Sequence, residues 1–191
     1  MLGAFTMWVW IVLIVLVVLV GLWAVAQYNG FVKLRNIVEE SWKQIDVELH
    51  RRYDLIPNLV ETVKGYAAHE RQTFENVTAA RAAAVSPGAG PAEQAVQENM
   101  LTSALRQLLA VAEAYPDLKA NTNFLELQSQ LTQTEDRIAA GRRFYNANVR
   151  TFNTKVQTFP PNLIARIFGF TEKEYFEAED PTVRAAPEVR F

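Results

Sequence analysis

The feature of this 191-residue sequence that most restricts its fold is an uncharged apolar run near the N-terminus. Residues 7–26 carry no ionisable side chain, and twelve of the fourteen residues 9–22 are Val, Ile or Leu. A helix rises about 1.5 Å per residue, so twenty residues cover roughly 30 Å, the thickness of a bilayer's hydrocarbon core. The run therefore predicts a transmembrane helix at 7–26.

Aromatic residues flank this run, as they do at membrane–water interfaces. The predicted interface residues are Trp8, Trp10, Trp23 and Tyr28. Cleavage of the run as a signal peptide is the alternative, because residues 24–26 read Ala-Val-Ala. The run is longer than the usual apolar region of about 7 to 15 residues, and no Lys or Arg precedes it, so a retained anchor is favoured.

The flanking charges predict the orientation of this helix. Lys33, Arg35 and Lys43 follow the run, whereas residues 1–6 contain no Lys or Arg. Basic residues are concentrated on the cytoplasmic side of single spans. We therefore predict a single-pass membrane protein with a short external N-terminus at 1–6 and the remaining chain in the cytoplasm.

The rest of the chain shows helical periodicity. From Phe31 to Leu49 the apolar residues are spaced by three and four, and a second such series begins at Ile56. Asp54 can cap a new helix and Pro57 fits a first turn, so a break near Tyr53 is expected. A kinked continuous helix is the alternative, since the seven residues from Leu49 to Ile56 preserve the apolar face.

Proline and glycine mark the later boundaries. Residues 86–91 have the composition of a linker, and Pro91 is suited to open a third helix, which should stop at Pro116. A fourth helix should begin at about 121–123 and reach Phe159, with a nearly unbroken seam typical of coiled coils. No segment alternates as a half-buried strand does, so we predict an all-α fold: the transmembrane helix, then an antiparallel up-and-down four-helix bundle over 28–159.

A short amphipathic element is predicted at 160–179, followed by a mobile tail at 180–191. If each helix of the bundle reverses direction, the fourth delivers this element to the membrane surface. Ile164, Ile167 and Phe168 are its candidate membrane-interface residues. Docking of the element against the end of the bundle is the equally weighted alternative.

Catalytic chemistry is not supported. The net charge of −2 and pI near 5.8 disfavour nucleic acid as a partner, and the chain contains no Cys and two His. His69-Glu70 begins like a zinc-protease motif, but the position that requires a second histidine holds Thr73. Nucleophile elbows and phosphate or dinucleotide loops do not occur, so we expect no enzyme activity, no catalytic residues, no metal, no cofactor and no small-molecule substrate.

Two arginine pairs form a possible site for an anionic partner. They are Arg51-Arg52 and Arg142-Arg143, which would make one basic patch if the helix ends that carry them meet. Local pairing with carboxylates such as Glu48, Asp54 or Glu135 is the favoured alternative, because interspersed charges on a bundle commonly only solvate its surface.

Several stretches resemble the LemA family of bacterial membrane proteins. They are Tyr28-Asn29, Arg52 to Val60 (RYDLIPNLV), Lys64-Gly65-Tyr66, His69-Glu70, Asn123 to Gln128 (NFLELQ), Arg142 to Asn146 (RRFYN), Phe159-Pro160, Phe168-Gly169-Phe170 and Glu174-Tyr175-Phe176. The resemblance implies a bacterial inner-membrane location, one membrane helix and a cytoplasmic four-helix bundle, in a family whose molecular function is unsettled. It supplies no catalytic residues.

Together these features predict an interaction or scaffold protein held at the lipid bilayer, which binds a protein partner or a second copy of itself. The alternative is an accessory subunit of a membrane-bound enzyme system of the protease or phosphatase type.

Overall fold

The computed structural model describes residues 2–86 and 90–177, with side chains from Met7 onward. Every regular element in these ranges is helical, which confirms the predicted all-α class. The helices are α1 Leu2–Lys64, α2 Arg71–Val85, α3 Pro91–Glu113, α4 Pro116–Lys119, α5 Thr122–Gln157 and α6 Pro161–Phe168. The predicted mobile tail at 180–191 lies outside the described residues.

The apolar run forms the first part of α1. The side chains of residues 7–22 are exposed, so no other element that the structure describes covers them. Among the described residues, this is the one helix long and apolar enough to cross a membrane by length and composition.

The predicted helix break near Tyr53 is wrong, because α1 continues through Pro57 to Lys64. Proline has no N–H to bond the carbonyl four residues earlier, which belongs to Tyr53. The Arg81 Nε of α2 donates a hydrogen bond of 2.8 Å to that carbonyl and so replaces the missing intrahelical bond. Residues 65–70 form the turn after α1, and the second helix begins at Arg71.

The other predicted boundaries agree closely with the structure. Pro91 is the first residue of α3, and α5 begins at Thr122. The single turn of α4, which the sequence did not predict, opens with Pro116. Phe159 was predicted to complete the seam of the long helix, but α5 ends at Gln157 and the Phe159 side chain is 74% exposed.

The chain divides into two compact units. The span unit comprises Met1–Glu40 and Ala147–Lys173, and the body unit comprises Ser41–Asn146 and Glu174–Phe191. The core of the span unit contains Phe31, Val38, Val149, Phe152, Ile164, Ala165 and Phe170. The core of the body unit contains Ile45, Leu49, Ile56, Leu59, Val63, Phe74, Val77, Leu101, Leu105, Leu108, Leu131 and Ile138.

Candidate functional site

An aromatic cluster joins α1 to the C-terminal part of the span unit. The ring of Tyr28 lies 4.8 Å from that of Phe168 and 5.7 Å from that of Phe170, centroid to centroid. Phe31 stacks on Phe170 at 4.9 Å and meets Phe152 edge-on at 6.1 Å. Such pairs add about 0.5–1.5 kcal/mol each beyond the area that they bury. The structure thus brings together two predicted interface residues, Tyr28 and Phe168.

One side of helix α6 packs into the span unit, and the other side is exposed. Ile164 and Ala165 are buried, whereas Leu163 and Ile167 are exposed. Ile164 was predicted as a membrane-interface residue, but it packs in the core at 6% exposure and is not accessible to lipid. Gly169, in the left-handed conformation at φ 71°, ends the helix and turns the chain toward Phe170.

Of the three predicted interface tryptophans, Trp8 and Trp10 are exposed on α1 and Trp23 is half-buried. Shortly after Trp23, α1 is contacted by Lys155 of α5. The Lys155 ammonium lies 4.6 Å from the ring centroid of Phe31 and donates to the Gln27 carbonyl at 3.3 Å. Burial lowers the pKa of Lys155.

The body unit contains a buried ion-pair cluster. Arg52, from α1, pairs with Glu98 of α3, and both side chains are only 1% exposed. Its Nη1 also donates to Glu135 of α5 at 2.6 Å and to Thr102 at 3.1 Å. Removing one charge from such a buried pair leaves the other charge without a counter-ion and destabilises the fold. The charged residues of the cluster therefore stabilise the body unit only together.

Tyr53 and Gln94 complete this cluster. The Tyr53 hydroxyl donates to the Glu98 carboxylate, and Gln94 Nε2 donates to the same carboxylate at 2.7 Å. Burial raises the pKa of Tyr53 to about 12, an effect that the positive charge of Arg52 opposes. The phenol therefore remains a protonated donor at physiological pH. The charges of Arg52 and Glu98 balance each other in the core, which indicates a structural role.

The four predicted patch arginines occupy different environments. Arg51 and Arg143 are exposed, but Arg52 is buried in the ion-pair cluster and does not lie on a surface that a partner can reach. Arg52 instead pairs with Glu135, one of the carboxylates named in the local-pairing alternative. Arg142 is half-buried, with its guanidinium 4.7 Å from the ring centroid of Phe176. Burial first, and then repulsion from Arg52, lowers its pKa.

Two asparagines of α5 hold the segment after α6, a role that the sequence did not reveal. Within the span unit, Asn153 donates to the Lys173 carbonyl at 2.9 Å and accepts from the Lys173 N–H at 2.8 Å. Within the body unit, Asn146 forms the equivalent pair with Phe176, whose ring is fully buried against Trp42. Each amide therefore pairs with backbone as a neighbouring strand would.

The part of the chain that the structure describes lacks the ligand clusters that metal ions require. Across residues 2–86 and 90–177, no three His, Asp or Glu side chains are grouped so that they could hold a metal ion. His50 and His69 are both exposed.

A sequence profile described as the LemA family matches residues 41–191. The chain belongs to the LemA family. The magnetosome protein MamQ 2 of Paramagnetospirillum magneticum is 29% identical over 79% of this chain and 65% of the relative. The magnetosome protein MamQ of Magnetospirillum gryphiswaldense is 27% identical over 78% and 64%. Protein LemA of Metamycoplasma hominis is 24% identical over 82% and 71%. The chain spans just under two thirds of the magnetosome relatives.

The LemA profile begins within α1, after the apolar run, so Tyr28-Asn29 lie outside the matched residues. The LemA-like stretch at residues 52–60 supplies Arg52 and Tyr53 to the buried cluster. Its apolar members Ile56, Leu59 and Val60 are buried beside them. In this LemA-family chain the stretch therefore forms part of the core of the body unit.

Proposed function

We propose that this chain is a non-catalytic, single-pass membrane-anchored interaction protein, whose body unit lies in the cytoplasm and binds a protein partner or a second copy of the chain. The observation that carries the proposal is the exposed apolar face of α1. Its residues 7–22 are uncovered all round the helix. Each Val, Ile or Leu in a membrane helix favours insertion by about 0.3–0.6 kcal/mol, and no charged residue opposes it within the run.

We further propose that the body unit is an antiparallel four-helix bundle built from α1, α2, α3 and α5. Helix α1 approaches α5 at Trp42, whose ring lies 5.3 Å from that of Tyr145, and again at Arg52, which pairs with Glu135. The residue numbers rise along α1 as they fall along α5, as expected for antiparallel neighbours. The packing of α2 on α3 across a short connection supports the same arrangement.

A labelling experiment tests the anchoring and the orientation. The chain contains no Cys, so a single introduced thiol reports one position. In intact cells, a membrane-impermeant maleimide should label Thr6→Cys. It should label Ser103→Cys, at an exposed position of α3, only after the inner membrane is permeabilised. Labelling of Ser103→Cys in intact cells would refute the cytoplasmic location. Recovery of the full chain in the soluble fraction would refute the anchor.

Partner binding is tested by photo-crosslinking in native membranes. Val96 and Met100 are exposed on α3 one turn apart, which is where an apolar contact with a partner would form. A photoreactive residue at Met100 should give a discrete larger adduct, either a dimer of this chain or one partner. The same residue at Gln72, which is exposed on α2 rather than on this face of α3, serves as the matched control. Monomer bands alone at every exposed site tested would contradict the interaction function.

A further inference from the structure

Helix α6 has an apolar stripe that no described part of the span unit covers. Phe159, Leu163 and Ile167 recur every four residues and are 74%, 47% and 73% exposed. Leu163 and Ile167 lie one turn apart on the same side of α6, and Phe159 lies in the turn that precedes the helix. We call these three exposed side chains the stripe. Contiguous exposed apolar surface commonly marks a protein or membrane contact.

The position of α6 identifies the surface that this stripe meets. Phe168 packs on Tyr28, which follows the predicted transmembrane run by two residues. Phe170, after the turn at Gly169, stacks on Phe31 one helical turn further along α1. These contacts hold α6 beside the end of the span. If the span crosses a bilayer, the stripe lies at the level of the lipid headgroups and upper acyl chains.

The charge of the span unit fits an anionic membrane surface. The segments that form this unit contain six Lys or Arg and three Glu, whereas the whole chain has a net charge of −2. Arg166 is exposed next to the stripe, and Arg35 lies 5.8 Å from the ring centroid of Phe170. Basic residues flanking an apolar helix face are the usual composition of a helix that lies in a membrane interface.

We infer that α6 is a second membrane contact: the strip formed by Phe159, Leu163 and Ile167 inserts into the cytoplasmic leaflet, with the neighbouring cations on anionic headgroups. This inference rests on the proposed anchoring by α1. It assigns the leaflet, rather than a second copy of the chain, as the occupant of the stripe, because Phe168, exposed on the same helix, packs on Tyr28 just beyond the exposed apolar residues of the span. Two contacts fix the roll and tilt of the span unit on the membrane, which a single span leaves free.

Fluorescence quenching in vesicles tests this inference on the full-length protein. Single-cysteine variants carrying an environment-sensitive dye would be reconstituted into phosphatidylcholine vesicles with and without phosphatidylglycerol. The positions are Ile167→Cys on the stripe, Val17→Cys in the span and Ser103→Cys on exposed α3. Quenching at Ile167→Cys by lipids with a nitroxide near the headgroup should exceed that at Ser103→Cys by at least about threefold. At Ile167→Cys, quenching by these lipids should also exceed quenching by lipids that carry the nitroxide near the end of the acyl chain.

Each outcome has one interpretation. Strong quenching at Val17→Cys with none at Ile167→Cys would overturn the second contact while leaving the anchor intact. Absence of quenching at Val17→Cys would instead refute the anchor. If dye at Ile167→Cys is unquenched by lipid but transfers energy between copies, the stripe is a dimer surface and the inference is wrong. Quenching at Ile167→Cys that increases when phosphatidylglycerol is included supports the anionic component.

Discussion

Arg52 illustrates how much of the body unit's stability depends on single charged side chains. Replacing it with Met removes the positive charge and leaves Glu98 buried without a counter-ion. We expect a loss of about 3–5 kcal/mol of unfolding free energy. Denaturant unfolding of the full chain in detergent, followed by circular dichroism, measures this loss.

The neighbouring Arg51→Met variant is the matched control, since Arg51 is exposed, and should change stability by less than about 0.5 kcal/mol. The double variant Arg52→Met/Glu98→Gln should recover much of the loss because no net charge then remains between these two positions. Equal stabilities for Arg52→Met and Arg51→Met would show that the pair contributes nothing.

The burial of Tyr53 and Tyr145 predicts that the protein loses stability at alkaline pH. Burial raises the pKa of each hydroxyl to about 12, above the value near 10 expected in the unfolded chain. The unfolded chain therefore releases these protons first. The associated stability is complete below about pH 10 and is lost between about pH 10 and 12, on the order of 2 kcal/mol for each tyrosine.

The unfolding free energy should consequently fall more steeply over this range in the native chain than in a Tyr53→Phe/Tyr145→Phe variant. This comparison corrects for lysines that titrate at similar pH. In an ultraviolet titration of the folded protein, the signal of Tyr53 and Tyr145, obtained by difference from the double variant, should appear near pH 12. Appearance of this difference signal near pH 10 would contradict the burial of these two phenols.

Only part of the residue-level chemistry can be predicted from the sequence. The resemblance drew attention to Arg52 and Tyr53, but not to Glu98, which lies in phase with the apolar residues Leu101, Leu105 and Leu108. A glutamate in an apolar phase was available as a signal for a buried pair. Its meaning depends on an arginine in the same phase of a distant helix, which periodicity along one helix cannot reveal.

At Pro57, the continuity of α1 depends on a side chain from another helix. The Tyr53 carbonyl that Pro57 cannot bond is satisfied by Arg81. Replacing Pro57 with Ala restores the intrahelical donor and should raise stability by up to about 3 kcal/mol. Replacing Arg81 with Met should cost about 1–3 kcal/mol in the native chain, because the carbonyl loses its partner.

In the Pro57→Ala background the Arg81→Met substitution should cost less than half as much. A double-mutant cycle from denaturant unfolding measures this coupling. Gln72→Met, an exposed change on the same helix as Arg81, should behave alike in both backgrounds. Equal costs of Arg81→Met in both backgrounds would show that Arg81 does not compensate for the proline.

Helix boundaries that depend on local chemistry were predictable, and those that depend on tertiary contacts were not. Pro91 and Pro116 act through their own backbone geometry: Pro91 opens α3 as predicted, and α3 ends at Glu113, shortly before the predicted stop at Pro116. The uninterrupted helix at Pro57 depends on the Arg81 side chain of α2. The exposure of Phe159 follows from the end of α5 two residues earlier, although its spacing continues the seam of that helix.

For the chain as a whole, the exposed span predicts that the fold survives without it. Residues 7–22 make no part of either core, and the contacts of α1 within the span unit begin near Trp23 and Tyr28. A chain lacking residues 1–22 should therefore remain helical, and its unfolding free energy in the same detergent should lie within about 0.5 kcal/mol of that of the full chain. A larger loss would mean that the span packs on the folded part.

The same truncated chain separates the two proposed membrane contacts. Without the span, residual binding to vesicles containing phosphatidylglycerol should depend on α6 and weaken with added salt, since screening reduces the attraction of cations to anionic lipid. Adding Leu163→Glu and Ile167→Glu should abolish this binding, whereas Thr151→Glu and Thr154→Glu, an equal charge change at exposed positions of α5, should preserve most of it. Equal binding by both double variants would indicate that charge alone attracts the protein to the bilayer. Because both positions of the first pair are exposed, retention of helical content in both variants is expected and confirms that the difference arises at the lipid surface.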